Sequence, residues 1–335
     1  MEQLSTHYTH KVLNHACQLQ ATDIHFYPND EKETVSIFYR LNGQRQFIRA
    51  IHMKLYESIL TYLKFSANMD IAETRKPQDG IFTTILQENR KYSFRLSTLP
   101  LSFIESLSIR IIPEETHYDL NHLMLFPFQV NQLKKSINSS GGMIVFSGPT
   151  GSGKSTLMYA LIEYLIEREL YQVITLEDPI ERRLDTVLQV EINEKAGITY
   201  QAGLRAALRH DPDVLLIGEI RDGETAKYAI RAALTGHIVF TTVHAKNPLG
   251  TIRRFLEFGI SKVELLQTLS AICTTDLLTI TYQDMIRRAT IVDLVDGYLL
   301  ESAIEGEVLK NHRNTINHLK KKAYAYGFIE TLETE

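Results

Sequence analysis

The sequence predicts an α/β protein in which a largely parallel sheet covered by helices is preceded by a smaller α+β unit. Three observations carry this expectation. From Met143 onward, short apolar runs of strand length alternate with longer segments of helical period, as they do where each parallel strand needs a helical crossover to the next. A glycine-rich turn separates the first of those runs from the helix that follows it. Before Pro113, apolar and polar residues instead alternate with period two, which marks strands with one buried face.

In chain order, Val35 to Arg40 reads as a strand, Asn42-Gly43 as a hairpin turn tolerant of positive φ, and Gln46 to Ile48 as the start of the return strand. Leu55, Ile59, Tyr62 and Leu63 then fall at helical spacing. Further strands are expected over 81–85, 91–97 and 107–112; in the middle one Tyr92, Phe94 and Leu96 alternate with Lys91, Ser93 and Arg95, which puts Arg95 on the polar face. After Pro113 a polar connection over 114–121 leads to a helix that ends before residues 138–142. The expected organisation is an amino-terminal α+β domain over 1–115, a linker region over 116–138, and a second domain over 139–335 with a helical carboxyl-terminal part. Within the second domain, strands at 143–146, 173–176, 214–217 and 238–242 alternate with helices at 154–168, 200–209 and 224–234, so ligands are expected beyond the carboxyl ends of the strands.

Composition narrows the function classes. The chain has 335 residues, 44% of them hydrophobic, enough for a substantial core. With 36 basic and 40 acidic side chains the formal net charge is -4, so there is no global basic field to hold a nucleic-acid backbone, and direct nucleic-acid binding is not expected. Cys17 and Cys273 form no CxxC pair, which fits a reducing compartment and offers no four-thiolate zinc site. Residues 1–20 lack the apolar core of a secretory signal, and the apolar runs fall well short of the roughly 20 residues that cross a bilayer as a helix. A cytoplasmic location is expected, with any membrane association made through a partner.

The chemistry-bearing motifs begin with Gly148-Pro149-Thr150-Gly151-Ser152-Gly153-Lys154-Ser155, followed by Thr156, which fits GxxxxGK[ST] between an apolar strand and an apolar helix. Glycines let backbone amides curl around phosphate oxygens, and the helix start favours negative charge. Lys154 is placed to reach the β and γ phosphates of ATP, and the Ser155 hydroxyl to ligand Mg²⁺. A second strand ends in the carboxylate cluster Glu177-Asp178-Pro179-Ile180-Glu181; Glu177, directly at the strand end, is the member expected to face the nucleotide. Asp213 to Glu219 resembles a Walker B strand with Gly218 where an Asp is common, which leaves Glu219 to orient water or hold the metal's water shell, with Glu177 sharing the work. Thr235-Gly236-His237 and Thr241-Thr242-Val243-His244 bracket the next strand. No acidic or thiol partner stands at zinc spacing from these histidines, so they are expected to sense phosphate or to link the strand end.

Together these motifs resemble the secretion ATPase superfamily of type II secretion and type IV pilus motors, from about Ala21 to His244. Residues 208–222, LRHDPDVLLIGEIRD, are similar to that family's signature throughout, while Glu177 to Glu181 looks like its Asp box and Thr235 to His244 like its His box. Ala21 to His25, Met69 to Glu73 and Pro77 to Gly80 resemble its second amino-terminal domain. The resemblance implies a RecA-like P-loop NTPase domain preceded by a PAS-like domain. It also implies that Arg95 and Arg110 contact nucleotide phosphate and that His244 belongs to the catalytic set. The chain lacks the four-cysteine insertion and extra domain of the large assembly motors and the carboxyl-terminal motif of retraction motors, so it is most similar to the ComGA-type ATPases of Gram-positive competence pili. That likeness implies a hexameric Mg²⁺-ATPase that works on an integral membrane platform protein at the inner face of the membrane and powers a pseudopilus for DNA uptake. Type II secretion or pilus retraction is the nearest alternative. A nucleic-acid translocase and a non-hydrolysing scaffold come from other classes, disfavoured by the acidic balance and by the intact Lys154, Ser155 and Glu219.

Overall fold

The computed structural model describes residues 2–86, 90–113, 119–137, 141–168, 171–282, 285–307, 312 and 314–331, with the side chains of 2–5, 282 and 285 not described. Of the expected connections, 114–118 and 138–140 lie outside the described residues. The chain forms two compact units, Met1–Thr116 and His117–Glu335.

The first unit runs α1 (Glu2–Gln18), β1 (Asp23–Asn29), β2 (Thr34–Leu41), β3 (Gln44–His52), α2 (Met53–Ser66), β4 (Gln78–Leu86), β5 (Arg90–Pro100) and β6 (Glu105–Pro113). Its sheet has the order β3-β2-β1-β6-β5-β4, antiparallel at every pairing. Asn42 (φ 50°) and Gly43 (φ 83°) both take left-handed backbone, the geometry of the tight turn that joins twisted strands. Period two then does its sorting. Ile24, Phe26, Ile37, Tyr39, Phe94, Leu96, Leu107 and Ile109 pack with Leu13 and Ala16 of α1 and Tyr56, Ile59 and Leu63 of α2. Asp23, Arg40, Arg95 and Arg110 stand on the opposite face.

One charged pair lies inside that core. The Lys64 ammonium donates to a Glu105 carboxylate oxygen at 2.8 Å and to the Glu73 carbonyl at 2.7 Å, with both side chains of the ion pair only 2% exposed. It ties α2 to β6 and to the turn before β4.

The second unit begins with α3 (Leu120–Leu123) and α4 (Pro127–Ile137), followed by β7 (Gly142–Ser147), α5 (Lys154–Arg168), β8 (Val173–Glu177), β9 (Leu188–Glu191), α6 (Tyr200–Ala207), β10 (Val214–Ile217), α7 (Gly223–Leu234), β11 (Ile238–Val243), α8 (Pro248–Glu257), α9 (Lys262–Thr268), β12 (Leu269–Tyr282), β13 (Met285–Asp296), α10 (Gly297–Glu305) and α11 (Ile316–Ala325). The sheet order is β13-β12-β7-β11-β10-β8-β9, parallel everywhere except between β12 and β13. β7, β8, β10 and β11 are buried along their whole length, as strands covered on both faces must be. Leu204, Ala226, Ile230, Ile252 and Phe255 cover one face, and Leu157, Leu161, Leu165, Val130 and Leu133 the other.

Two expectations need correction. Residues 120–137, assigned to a linker region, are part of this unit, because Val130, Leu133 and Ile137 share one helical face and bury it against the sheet. The carboxyl-terminal part is not simply helical. Helices α8 to α11 are interrupted by the long hairpin of β12 and β13, whose run of β-branched Ile and Thr residues suits strand backbone.

Lys64→Met should destabilise the chain by about 3–5 kcal/mol, because it leaves the Glu105 carboxylate charged and unpaired in a core. Urea denaturation of the full chain measures this, and a loss below about 1 kcal/mol would class the pair with exposed ion pairs.

Candidate nucleotide-phosphate site

The parallel arrangement brings the carboxyl ends of β7, β8, β10 and β11 to one edge of the sheet, and the motif residues stand there. After β7 the chain takes left-handed backbone at Gly148 (φ 135°), Gly151 (φ 80°) and Gly153 (φ 88°) before α5 begins at Lys154. Gly148 is required for a second reason: a Cβ there would stand 2.5 Å from the Thr275 carbonyl oxygen and 2.8 Å from Ser152 Oγ. Pro149, Thr150 and Gly151 form the turn, and Ser155 and Thr156 lie in the first turn of α5. Lys154 Nζ donates to the carbonyls of Gly148 at 2.9 Å and Pro149 at 2.8 Å, so its charge is held at the mouth of the loop. Burial lowers the Lys154 pKa, and the carboxylates of Glu181 and Glu219 oppose that fall. This cradle of glycines, helix start, ammonium and hydroxyl has the donor set that a nucleoside triphosphate and Mg²⁺ need.

The two candidate glutamates sit in different environments. Glu177, 5% exposed, is turned inward: its carboxylate accepts from Tyr159 of α5, from Thr175 Oγ1 at 2.5 Å and from Gln189 Nε2 at 3.2 Å. Burial raises its pKa, against the lowering effect of those three hydrogen bonds. Of the cluster in which Glu177 is the member expected to face the nucleotide, Asp178 and Glu181 carry the exposed carboxylates. Glu219 follows β10 with its side chain 17% exposed, ion-paired to Arg221, and with His244 Nε2 3.6 Å away. Arg221 also reaches Asp178 at 3.5 Å, which links the end of β8 to that of β10. The hydrogen bond to Glu219 raises the Arg221 pKa.

Gly218 has a steric explanation. A Cβ at this position would meet Tyr200 Oη at 3.1 Å, the Leu176 carbonyl at 3.2 Å and Glu177 Cα at 3.4 Å. A side chain there is tightly confined and needs its neighbours to give by a few tenths of an ångström; the acid stands one residue later. His237 and His244 stand at opposite ends of β11, a strand of six residues, roughly 20 Å long. His237 Nδ1 lies 2.9 Å from Thr235 Oγ1 and 3.0 Å from the Ala232 carbonyl, at the end of α7.

Arg95 and Arg110, in the first unit, are cross-strand partners on β5 and β6. The row continues through Asp23 of β1 and Arg40 of β2 to Arg45 of β3, each the partner of the one before. Like charges directly opposite each other repel. Asp23 offsets this by accepting from Arg110 Nε at 3.2 Å and pairing with Arg40 at 3.6 Å. Sequence reasoning singled out neither Asp23, Tyr159 nor Arg221. Arg221 stands within the motif over 208–222, two residues after Glu219, and Asp23 within the segment Ala21 to His25, whereas Tyr159 has no local signal.

The parallel sheet with its glycine loop between β7 and α5 is the architecture of the RecA-like P-loop NTPases. A family model described as "Type II/IV secretion system protein" matches residues 2–294. The competence protein ComGA of Bacillus subtilis is 39% identical over 96% of this chain and 94% of its own length. The type II secretion system protein E of Klebsiella pneumoniae is 37% identical over 83% of this chain and 54% of its own length. Among solved structures, the pilus retraction motor PilT with bound ADP superposes with a TM-score of 0.75 at 26% identity, over 97% of this chain and 94% of that one. The chain belongs to the family of type II and type IV secretion and pilus ATPases.

The Glu177 environment has a pH signature. A carboxylate whose folded pKa is raised by burial costs stability when ionised, so its contribution is most favourable below the ordinary value of 4.5 and is lost as pH rises through the folded pKa. Glu177→Gln removes that charge. It should match or exceed the wild-type stability at pH 7, and the difference should shrink as pH falls toward 4.5. Denaturation midpoints at several pH values test this, and a variant less stable at pH 7 by a margin that persists in acid would contradict it.

Proposed function

We propose that this chain is a Mg²⁺-dependent ATPase that hydrolyses ATP to ADP and phosphate to power assembly of a type IV pilus-like competence pseudopilus for DNA uptake. The observation that carries the enzymatic part is the loop at the end of β7, shaped by Gly148, Gly151 and Gly153 and closed by Lys154, with Glu219 on the same sheet edge. The end-to-end match to the competence protein, against about half the length of the type II secretion protein, supports the assignment within the family. The match of similar extent to the retraction motor PilT favours pilus retraction as the second reading. Deleting the gene separates the two: loss of an assembly motor leaves no surface pilin, and loss of a retraction motor leaves it accumulating.

In this reading the amides of 148–155 and the Lys154 ammonium hold the phosphates, while Ser155 holds Mg²⁺. The metal supplies charge neutralisation at the phosphoryl oxygens. Glu219, ion-paired to Arg221 and with His244 3.6 Å away, orients the attacking water and takes its proton, with Glu177 sharing the work. Arg95 and Arg110, brought in by the amino-terminal unit, stabilise charge as it spreads over the phosphoryl group. The first strand at the centre of an antiparallel sheet flanked by helices supports reading that unit as PAS-like. The working form is a homo-oligomer, a hexamer, that engages an integral membrane platform protein at the inner face of the cell membrane. Among the described residues no helix is long and apolar enough to cross that membrane.

Lys154→Ala should abolish measurable ATP binding, whereas Glu219→Gln should bind ATP normally and turn it over about 10² to 10⁴ times more slowly, the usual worth of a general base. Turnover at the wild-type rate in both variants would remove the assigned site. Arg95→Ala and Arg110→Ala should each lower turnover far more than affinity, by up to about 10³ to 10⁵ in rate as for arginines in other P-loop enzymes, with lysine a poor substitute. Steady-state ATPase assays beside equilibrium binding decide it, and unchanged turnover would make these ordinary sheet-surface arginines.

A further inference from the structure

We infer that Thr275 of β12 is a positioning residue for the phosphate-binding loop, holding it in its binding shape through Ser152; the inference rests on the ATPase reading and deepens it. The contact spans 123 residues of sequence. Thr275 Oγ1 donates to the Ser147 carbonyl at 3.3 Å, and Ser152 Oγ lies 2.8 Å from Thr275 Oγ1. A threonine hydroxyl has one proton, so with that proton on Ser147 the Ser152 hydroxyl is the donor to Thr275. One residue earlier, Thr274 Oγ1 and Ser147 Oγ are 2.8 Å apart. The four side chains are 0–3% exposed. The hairpin's backbone closes the wall: the Thr275 carbonyl occupies the space that a Gly148 Cβ would need, and Thr290 Oγ1 of β13 is 3.2 Å from the place of a Gly153 Cβ.

The physical need for such a brace comes from the loop's composition. Glycine in left-handed backbone loses more conformational freedom on ordering than any other residue. A loop that must order itself around each incoming phosphate binds more weakly than one already curled. Ser152 is the one loop side chain that is fully buried, and its hydroxyl is spent on Thr275. The bond fixes the middle of the loop against a strand, while β7 and α5 fix its two ends.

Thr275→Val tests the brace, since valine keeps the shape and strand preference of threonine and puts a methyl group in place of the hydroxyl. The measurement is equilibrium binding of a fluorescent ADP with Mg²⁺ to the full chain, beside KM and kcat for ATP and the thermal midpoint. Loss of the Ser152 hydrogen bond corresponds to a roughly three- to tenfold weaker Kd and higher KM, with kcat changed less than about twofold; because Thr275→Val also removes the donor to the Ser147 carbonyl, its midpoint falls by about a few degrees. Thr275→Ser should restore wild-type binding. Ser152→Ala should weaken binding to the same degree, and the double variant no further, because both remove the same contact. The brace is overturned if Thr275→Val binds as wild type does, if the serine variant binds no better than the valine variant, or if the double variant loses the product of the single losses. If Thr275→Val does not fold, Ser152→Ala decides alone, and binding equal to wild type there overturns the proposal. A wild-type chain that binds no nucleotide overturns the ATPase reading and this inference with it, whereas failure among the variants alone leaves that reading standing.

Discussion

A polypeptide can turn its amide groups toward an anion only where the backbone is free to take left-handed angles and where the neighbouring structure holds it in that shape. In this protein both conditions meet at the end of β7. Gly148, Gly151 and Gly153 supply the angles, and a buried parallel strand, a helix and a β-hairpin supply the restraint. Because the sheet is parallel on both sides of β7, the loop, Glu177, Glu219 and His244 all emerge at one edge. The gathering of these candidate groups at one edge follows from that strand order.

The charges at that edge are arranged by burial as much as by proximity. Two glutamates end neighbouring strands, yet one is turned into the core among hydroxyl and amide donors and the other pairs with an arginine, with a histidine 3.6 Å away. Chemically identical groups are thus held in different surroundings, the condition under which their chemistry can diverge. In the first unit the same logic acts on cations: four arginines share one row of the sheet, and a single aspartate at its centre makes the row tolerable.

Elements with local signals were legible in the sequence. Most strands and helices between residues 35 and 243 show their pattern within a few residues, β9 being an exception, and the glycine loop is contiguous, so its identity needed no tertiary information. The β12 and β13 hairpin was not legible, because Thr274, Thr275 and Thr290 point polar groups into buried positions and break the alternation that announces a strand. The helix at α4 is legible in the sequence, but its membership of the second unit is not, because it lies between two polar stretches and only the fold shows that its apolar face completes the sheet's covering. The arginine row needs a register between residues as far as 87 positions apart, which no window of sequence contains. The inward turn of Glu177 depends on Tyr159, a residue whose role is set by the helix packing beside it.

The order in which the chain is made gives the β12 strand another meaning. The glycine loop of the candidate phosphate site is complete once Ser155 has been synthesised, yet the strand that walls it in begins at Leu269. At ribosomal speeds of about 5–20 residues per second, the intervening segment takes several seconds to appear. Until then β7 is an edge strand, with one side unpaired where β12 will lie. A nascent chain therefore carries a recognisable phosphate motif well before it carries a finished one, and closing that edge is among the longest-range steps by which this protein becomes itself.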